Sequence, residues 1–160
     1  VNFLDEKLLS RIVESVVEQM SECKMTLSLA RQLIYKVEDK ARELGVNAVV
    51  AVADSGGNIV AVESMDDAYI ASYDIAVNKA FTCVSLKMPT SKLKKLAQPG
   101  ESLYGIQFTN GGRIVIFGGG VPLVCKGKVI GAVGVSGGSE EQDTKLGEYA
   151  EKVFEEEFLK

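Results

Sequence analysis

A chain of 160 residues, 46% hydrophobic and 25% charged, has the makeup of one folded domain. It is large enough to bury roughly 70% of its unfolded surface without a metal or a disulfide. The net charge of −4 is concentrated in the tail, where 140–160 carries eight acids against three lysines, so the remainder is near neutral and lacks the basic stripe that nucleic acid requires. No histidine and no tryptophan occur, which excludes Ser-His-Asp and Cys-His catalysis, HExxH zinc chemistry and histidine-ligated haem.

The cysteines, Cys23, Cys83 and Cys125, are odd in number and show no CxxC spacing. This pattern predicts core or near-core thiols in a reducing, cytoplasmic setting, with neither a disulfide framework nor a zinc site. No apolar run approaches the roughly 18 residues of a membrane span, and the start, at Val1, lacks the apolar core of a secretory signal. The expectation is a soluble protein with no membrane partner.

In chain order, Asn2 to Cys23 places Leu4, Leu8, Ile12, Val16 and Met20 at helical spacing, with Leu9, Val13 and Val17 beside them. The pattern is an amphipathic helix over 1–23, ahead of a domain over 24–160. Thr26 reads as the N-cap of a helix running to about Leu44, with Ala30, Leu33, Ile34, Val37, Ala41 and Leu44 on its buried face and Gly45 as its stop. Asn47–Ala53 and Asn58–Val62 read as strands joined by the turn Asp54-Ser55-Gly56-Gly57. Asp66 or Asp67 then caps a helix carrying Tyr73, Ala76, Val77, Ala80, Phe81, Val84 and Met88, which Pro89 ends. A short helical turn over Ser91–Ala97 follows. Arg113–Phe117, Val121–Lys126 and Lys128–Ser136 read as three more strands. Ser139-Glu140-Glu141-Gln142 is a capping box that opens a last helix with Leu146, Tyr149, Ala150, Val153, Phe154 and Phe158 inward. Hairpin-length connections imply a largely antiparallel five-stranded sheet with flanking helices, an α+β fold.

No catalytic constellation and no metal cluster stand out. Gly131-Ala132-Val133-Gly134-Val135-Ser136-Gly137-Gly138-Ser139 runs from a strand through a glycine turn to a helix N-terminus. That arrangement suits an anion, and serves equally well as a tight, closely packed turn. Gly118-Gly119-Gly120-Val121-Pro122 is either a backbone shelf for a flat ligand or a plain strand connection. Between Ile75 and Gly100 no acid accompanies Lys79, Lys87, Lys92, Lys94 and Lys95. Of these, Lys79 falls between Ala76 and Ala80, near the apolar face of its helix. Asp54 and Asp66 are candidate proton carriers or ligand contacts, with turn and cap roles as the alternative. Asp143, one turn into the last helix, is explained by the helix dipole.

Several of these motifs carry a resemblance. Met25-Thr26-Leu27, Val52-Ala53-Asp54-Ser55-Gly56-Gly57, Met65-Asp66, Ala76 with Lys79-Ala80-Phe81-Thr82, Gly119-Gly120-Val121-Pro122, and Gly131 to Gly138 with Asp143 together resemble the GlcG/HbpS family, which includes the C-terminal domain of PduO-type proteins. The likeness spans Met25 to about Val153. It implies a five-stranded sheet of profilin or roadblock type, homo-oligomers, and an accessory role in binding haem or a corrinoid such as cobalamin. The ligand contacts it implies are Asp54, Asp66, Lys79, Gly119, Gly120, Pro122, Ser136, Gly137 and Gly138. With no histidine, axial ligation of a haem falls to Met, Cys, Tyr, Lys or water. Ser64 and Asp67 depart from the arginine and glycine usual around Met65-Asp66. The leading helix is also similar to the encapsulation peptides of bacterial microcompartment cargo, which implies shell or cargo proteins as partners and a compartment lumen as location. The alternatives are a small-molecule enzyme using Lys79 and Asp66 for acid–base chemistry, and a scaffold protein that works through its first helix.

Overall fold

The computed structural model describes residues 6–14 and 23–159. Thr26, in extended conformation, caps α1 (Leu27–Glu43) by accepting the Leu29 N–H on its hydroxyl at 3.1 Å. The other end closes as a Schellman motif, with Val46 N–H returned to Ala41 O and Gly45 N–H to Arg42 O. Ala30, Leu33, Ile34, Val37 and Ala41 are buried as their spacing requires, while Leu44 is the half-exposed C-cap. Then follow β1 (Val49–Asp54), β2 (Ile59–Ser64), α2 (Ile70–Leu86) and the short α3 (Thr90–Leu96). Two single 3₁₀ turns, Ile106–Phe108 and Asn110–Gly112, lead to β3 (Gly120–Cys125), β4 (Lys128–Ser136) and α4 (Glu140–Val153), with a π turn at Phe154–Phe158.

The sheet has four strands, in the order β2-β1-β4-β3, and every neighbouring pair is antiparallel. This corrects the expectation of five. The segment Arg113–Phe117 forms no strand, because its backbone bonds to a side chain rather than to a ladder. Thr82 Oγ1 accepts the Val115 N–H at 3.0 Å while its own proton goes to Asn78 O at 2.7 Å. The β3 edge is closed in the same region, since Gly120 N–H bonds Thr90 Oγ1 at 2.9 Å and Pro122 has no N–H to offer.

The two sheet faces are built differently. Val50, Val52, Val133 and Val135 point to one side, where they pack with Leu33, Ile34 and Val37 of α1 and Leu146 of α4. Val49, Ala51, Ala53 and Ala132 point to the other, against Ala76, Ala80 and Cys83 of α2. The second face is small-on-small because α2 lies almost backbone to backbone on β4. A Cβ added at Gly134 would run into the Ala76 carbonyl and lie 2.7 Å from Ala80 N. Ser72, Ala76, Lys79, Ala80 and Cys83 therefore form the inner face of α2, and Tyr73 is 52% exposed. No acid caps this helix, whose N-cap is Tyr69; Asp67 instead sits in the preceding turn at φ 63°.

Cys23 and Cys125 form a disulfide with a Cα separation of 5.7 Å, joining the turn before α1 to the end of β3 across 102 residues. The reading of three thiols is thereby corrected for two of them, and the inference of a reducing setting loses its basis. Residue parity and CxxC spacing carry no information on which distant cysteines a fold brings together. Cys83 is a free, buried thiol.

Residues 6–14 are helical and exposed throughout, including Leu8, Leu9, Ile12 and Val13 at 51–62%. The rest of the helix expected before Cys23 lies outside the described residues. Among the described residues no helix is long and apolar enough to cross a membrane, and no cluster of candidate metal ligands occurs.

Candidate functional site

Lys79 is fully buried, and its environment is assembled from four elements. Its Nζ donates to Val135 O on β4 at 2.7 Å and to Asp143 Oδ2 on α4 at 3.1 Å, and it faces the Phe117 ring at 5.0 Å. Gly119 closes the space above it, since a Cβ there would lie 2.6 Å from Nζ. Burial pulls the Lys79 ammonium below its ordinary range, and the Asp143 carboxylate beside it pulls the other way. The second Asp143 oxygen accepts Gly138 N–H at 2.8 Å. The charge that the sequence places near an apolar face is thus one half of an enclosed ion pair that pins β4, α4 and the glycine loop together.

The glycine turn at Gly137–Gly138 has its helix N-terminus already served. Ser139 Oγ accepts Gln142 N–H at 3.2 Å, Gln142 Oε1 accepts Ser139 N–H at 2.9 Å, and Gly138 N–H goes to Asp143. Glu140 and Glu141 stand in the first turn. This end of α4 is furnished with its own acids and hydroxyl, which is what an incoming phosphate would have supplied. Ser136 is buried behind the turn, its hydroxyl bonded to that of Ser72 at 3.1 Å.

Gly118 N–H is held by Glu140 Oε1 at 3.0 Å, and the same carboxylate pairs with Lys94. That contact, with the Gly118 N–H first, holds the Glu140 carboxyl below its usual range. Gly119 O accepts Val135 N–H at 2.9 Å, and Pro122 is a buried β3 residue opposite Ala132. The two glycine clusters therefore do converge on Lys79, but in a packed junction.

Open space lies elsewhere. A cleft of about 430 Å³ is bordered by Asn47, Asp67, Tyr69, Gly137, Gly138 and Gln142. A second, of about 500 Å³, contains Asp54, Ser55, Cys23, Lys24 and Lys128. Asp54 there anchors its own turn, Oδ1 accepting Gly56 N–H at 2.9 Å and Asn58 N–H at 3.0 Å. Asp66 borders a third cleft with Glu38, Arg42 and Met65. Burial chiefly, and Glu63 in addition, raise the Glu38 carboxyl above its usual range. The expected residues thus fall into one packed junction and three clefts, the first and third sharing Asn47, and Asp66 and Lys79 do not line the same one.

Two features escaped the sequence. Asp143 is the partner of Lys79, and its spacing to Leu146, Gly147 and Ala150 marks it as inward-facing. The outer face of α2 carries Tyr69 at 73%, Ile70 at 97% and Tyr73 at 52% exposure, and Tyr69 forms part of the first cleft. The apolar positions Ile70 and Tyr73, lying off the Ala76–Ala80 face and beside the exposed Asp74, held that signal.

A four-stranded antiparallel sheet covered on both faces by helices, with an internal ion pair and a cleft at a glycine turn, defines a three-layer α+β domain. The chain belongs to the HbpS-like family (haem degrading protein HbpS-like), whose model matches residues 25–151. It is 51% identical over 132 residues to a 15.0 kDa protein from the dhaT–dhaS intergenic region of Citrobacter freundii, covering 82% of this chain and 93% of that one. It is 35% identical to the corrinoid adenosyltransferase PduO of the same organism, over 93% of this chain and 45% of PduO, so it spans about half of that protein. Among solved structures, a PduOC:heme complex superimposes with a TM-score of 0.78 at 36% identity, covering 81% of this chain and 94% of that one.

Proposed function

We propose that this chain is a non-catalytic tetrapyrrole-handling protein that receives the flat face of a haem, or of a corrinoid, on the outer face of α2 beside the Gly137–Gly138 cleft. The observation that carries this reading is the exposed Tyr69 on the wall of a 430 Å³ cleft, followed along the chain by the exposed Ile70 and Tyr73; the volume is within the usual range for small-molecule sites. The complex of a PduO domain with heme, and the corrinoid chemistry named for full-length PduO, support the ligand class.

The donor set fits a haem held without histidine. Met65 Sδ already accepts Ala48 N–H at 3.3 Å, and Lys79 is enclosed by its partners. The phenols of Tyr69 and Tyr73 are the oxygen donors on the exposed stripe. A bound haem would supply redox-active iron, while the protein's own part is to shield one ring face and orient it. An apolar outer stripe on α2 also supports a homo-oligomer in which a second copy covers the other face of the ring.

Titration with haemin and with cobalamin, followed at the Soret and corrin bands, tests the proposal. Saturable binding by the wild type, weakened at least about tenfold by Ile70→Asp with unchanged stability, supports it. Absence of any spectral change at high micromolar ligand, or equal binding by Ile70→Asp, rejects it.

A second reading concerns location. The helix over 6–14 keeps Leu8, Leu9, Ile12 and Val13 exposed, and the kinship with PduO supports a cytoplasmic cargo role in a bacterial microcompartment, with shell or cargo proteins as the helix's partners. Fusing residues 1–23 to a fluorescent reporter in a shell-forming host decides it: puncta support targeting, and diffuse signal removes it.

A further inference from the structure

The Cys23–Cys125 disulfide is asymmetric in its surroundings. Cys23 is partly exposed and borders the 500 Å³ cleft, together with the ammonium-bearing, exposed Lys24 and Lys128. Cys125 lies behind it, 4% exposed. Lys128 is also the cross-strand partner of Cys125 in the β3–β4 hairpin, so its Cβ lies roughly 5 Å from that of Cys125 on the same face. Among the described residues, Asp54 is the one acid lining the cleft, and it directs an oxygen into its own turn. The cleft thus presents one reachable sulfur, two cations beside it, and a cation next to the sulfur that would leave.

We propose that Cys23 is a reversible thiolation site for a small thiol carrying carboxylates or another anionic group. The thiolate enters the cleft, attracted by Lys24 and Lys128, and attacks Cys23 Sγ. A new S–S bond forms between the thiol and Cys23, the Cys23–Cys125 bond breaks, and its electron pair leaves on Cys125 Sγ, where Lys128 offsets the charge until a proton arrives. A second thiolate attacking the outer sulfur of the mixed disulfide releases the oxidised dimer of the small thiol and leaves both cysteines reduced. Two thiols are oxidised to one disulfide, and one protein disulfide is reduced to two thiols.

The test compares 2-mercaptoethanesulfonate with neutral 2-mercaptoethanol on the oxidised full-length protein, at matched thiolate concentration and low salt, reading intact mass after alkylation. The anionic thiol reacts about threefold to tenfold faster, as expected for one charge attracted at close range through water, and high salt or the double variant Lys24→Gln/Lys128→Gln erases the preference. Separately, Cys125→Ser treated with glutathione disulfide carries the adduct on Cys23, whereas Cys23→Ser stays unmodified without denaturant. Equal rates for the two thiols in the wild type overturn the proposal, as does an adduct that maps to Cys125. Should the single variants not fold, the wild-type rate ratio alone decides.

Discussion

The ammonium of Lys79 and the carboxylate of Asp143 meet at 3.1 Å with neither open to solvent, joining residues 64 apart in sequence. Removing one partner strands the other charge in a dry junction. Lys79→Met and Asp143→Leu should each destabilise the fold by about 3–5 kcal/mol, while the double variant recovers most of that loss. Urea unfolding of all four proteins gives the coupling energy directly, and additive losses would show that the pair does not act as a unit.

Gly134→Ala tests the seating of α2 on β4. The new methyl meets the Ala76 carbonyl and Ala80 N, so the helix must lift. A loss of about 1–3 kcal/mol is expected. Ala76→Gly placed in the same chain should relieve little of it, because the obstruction is main chain.

Reducing the Cys23–Cys125 bridge reopens a loop of 102 residues. Chain entropy puts the stability lost at up to about 4.7 kcal/mol. Thermal unfolding with and without a dithiol reductant checks this, and Cys23→Ser/Cys125→Ser should match the reduced protein and be indifferent to reductant.

The acid limb of stability should carry a signature of Glu38. Its carboxyl is raised above the ordinary value of 4.5, chiefly by burial. The folded state therefore holds the proton more tightly than the unfolded chain. This contribution is complete below 4.5 and declines as pH rises through the folded value. As pH rises above about 4.5 the wild type should lose stability relative to Glu38→Gln, and parallel pH profiles would refute the assignment.

Much of the architecture was legible because it rests on local chemistry. Thr26, Gly45 and the Ser139–Gln142 box mark their helix ends by side-chain and backbone hydrogen bonds that a few neighbouring residues supply. The missing fifth strand was not legible, since Val-Ile-rich 114–117 has strand character and only the remote Thr82 hydroxyl diverts it. The inner face of α2 was legible at Ala76 and Ala80, with Lys79 between them, whereas its close approach to the sheet rests on a glycine of another element, Gly134. Lys79 stood out by position, yet its partner was hidden as an ordinary first-turn acid. The disulfide left no local trace at all.

The sheet's two rims are unequal. Pro122 and the Thr90 hydroxyl block two positions of one of them, leaving the backbone of β2, among the described residues, as the more open flank. A β2-to-β2 union between copies would be two-fold and self-terminating, giving pairs that close rather than ribbons that lengthen.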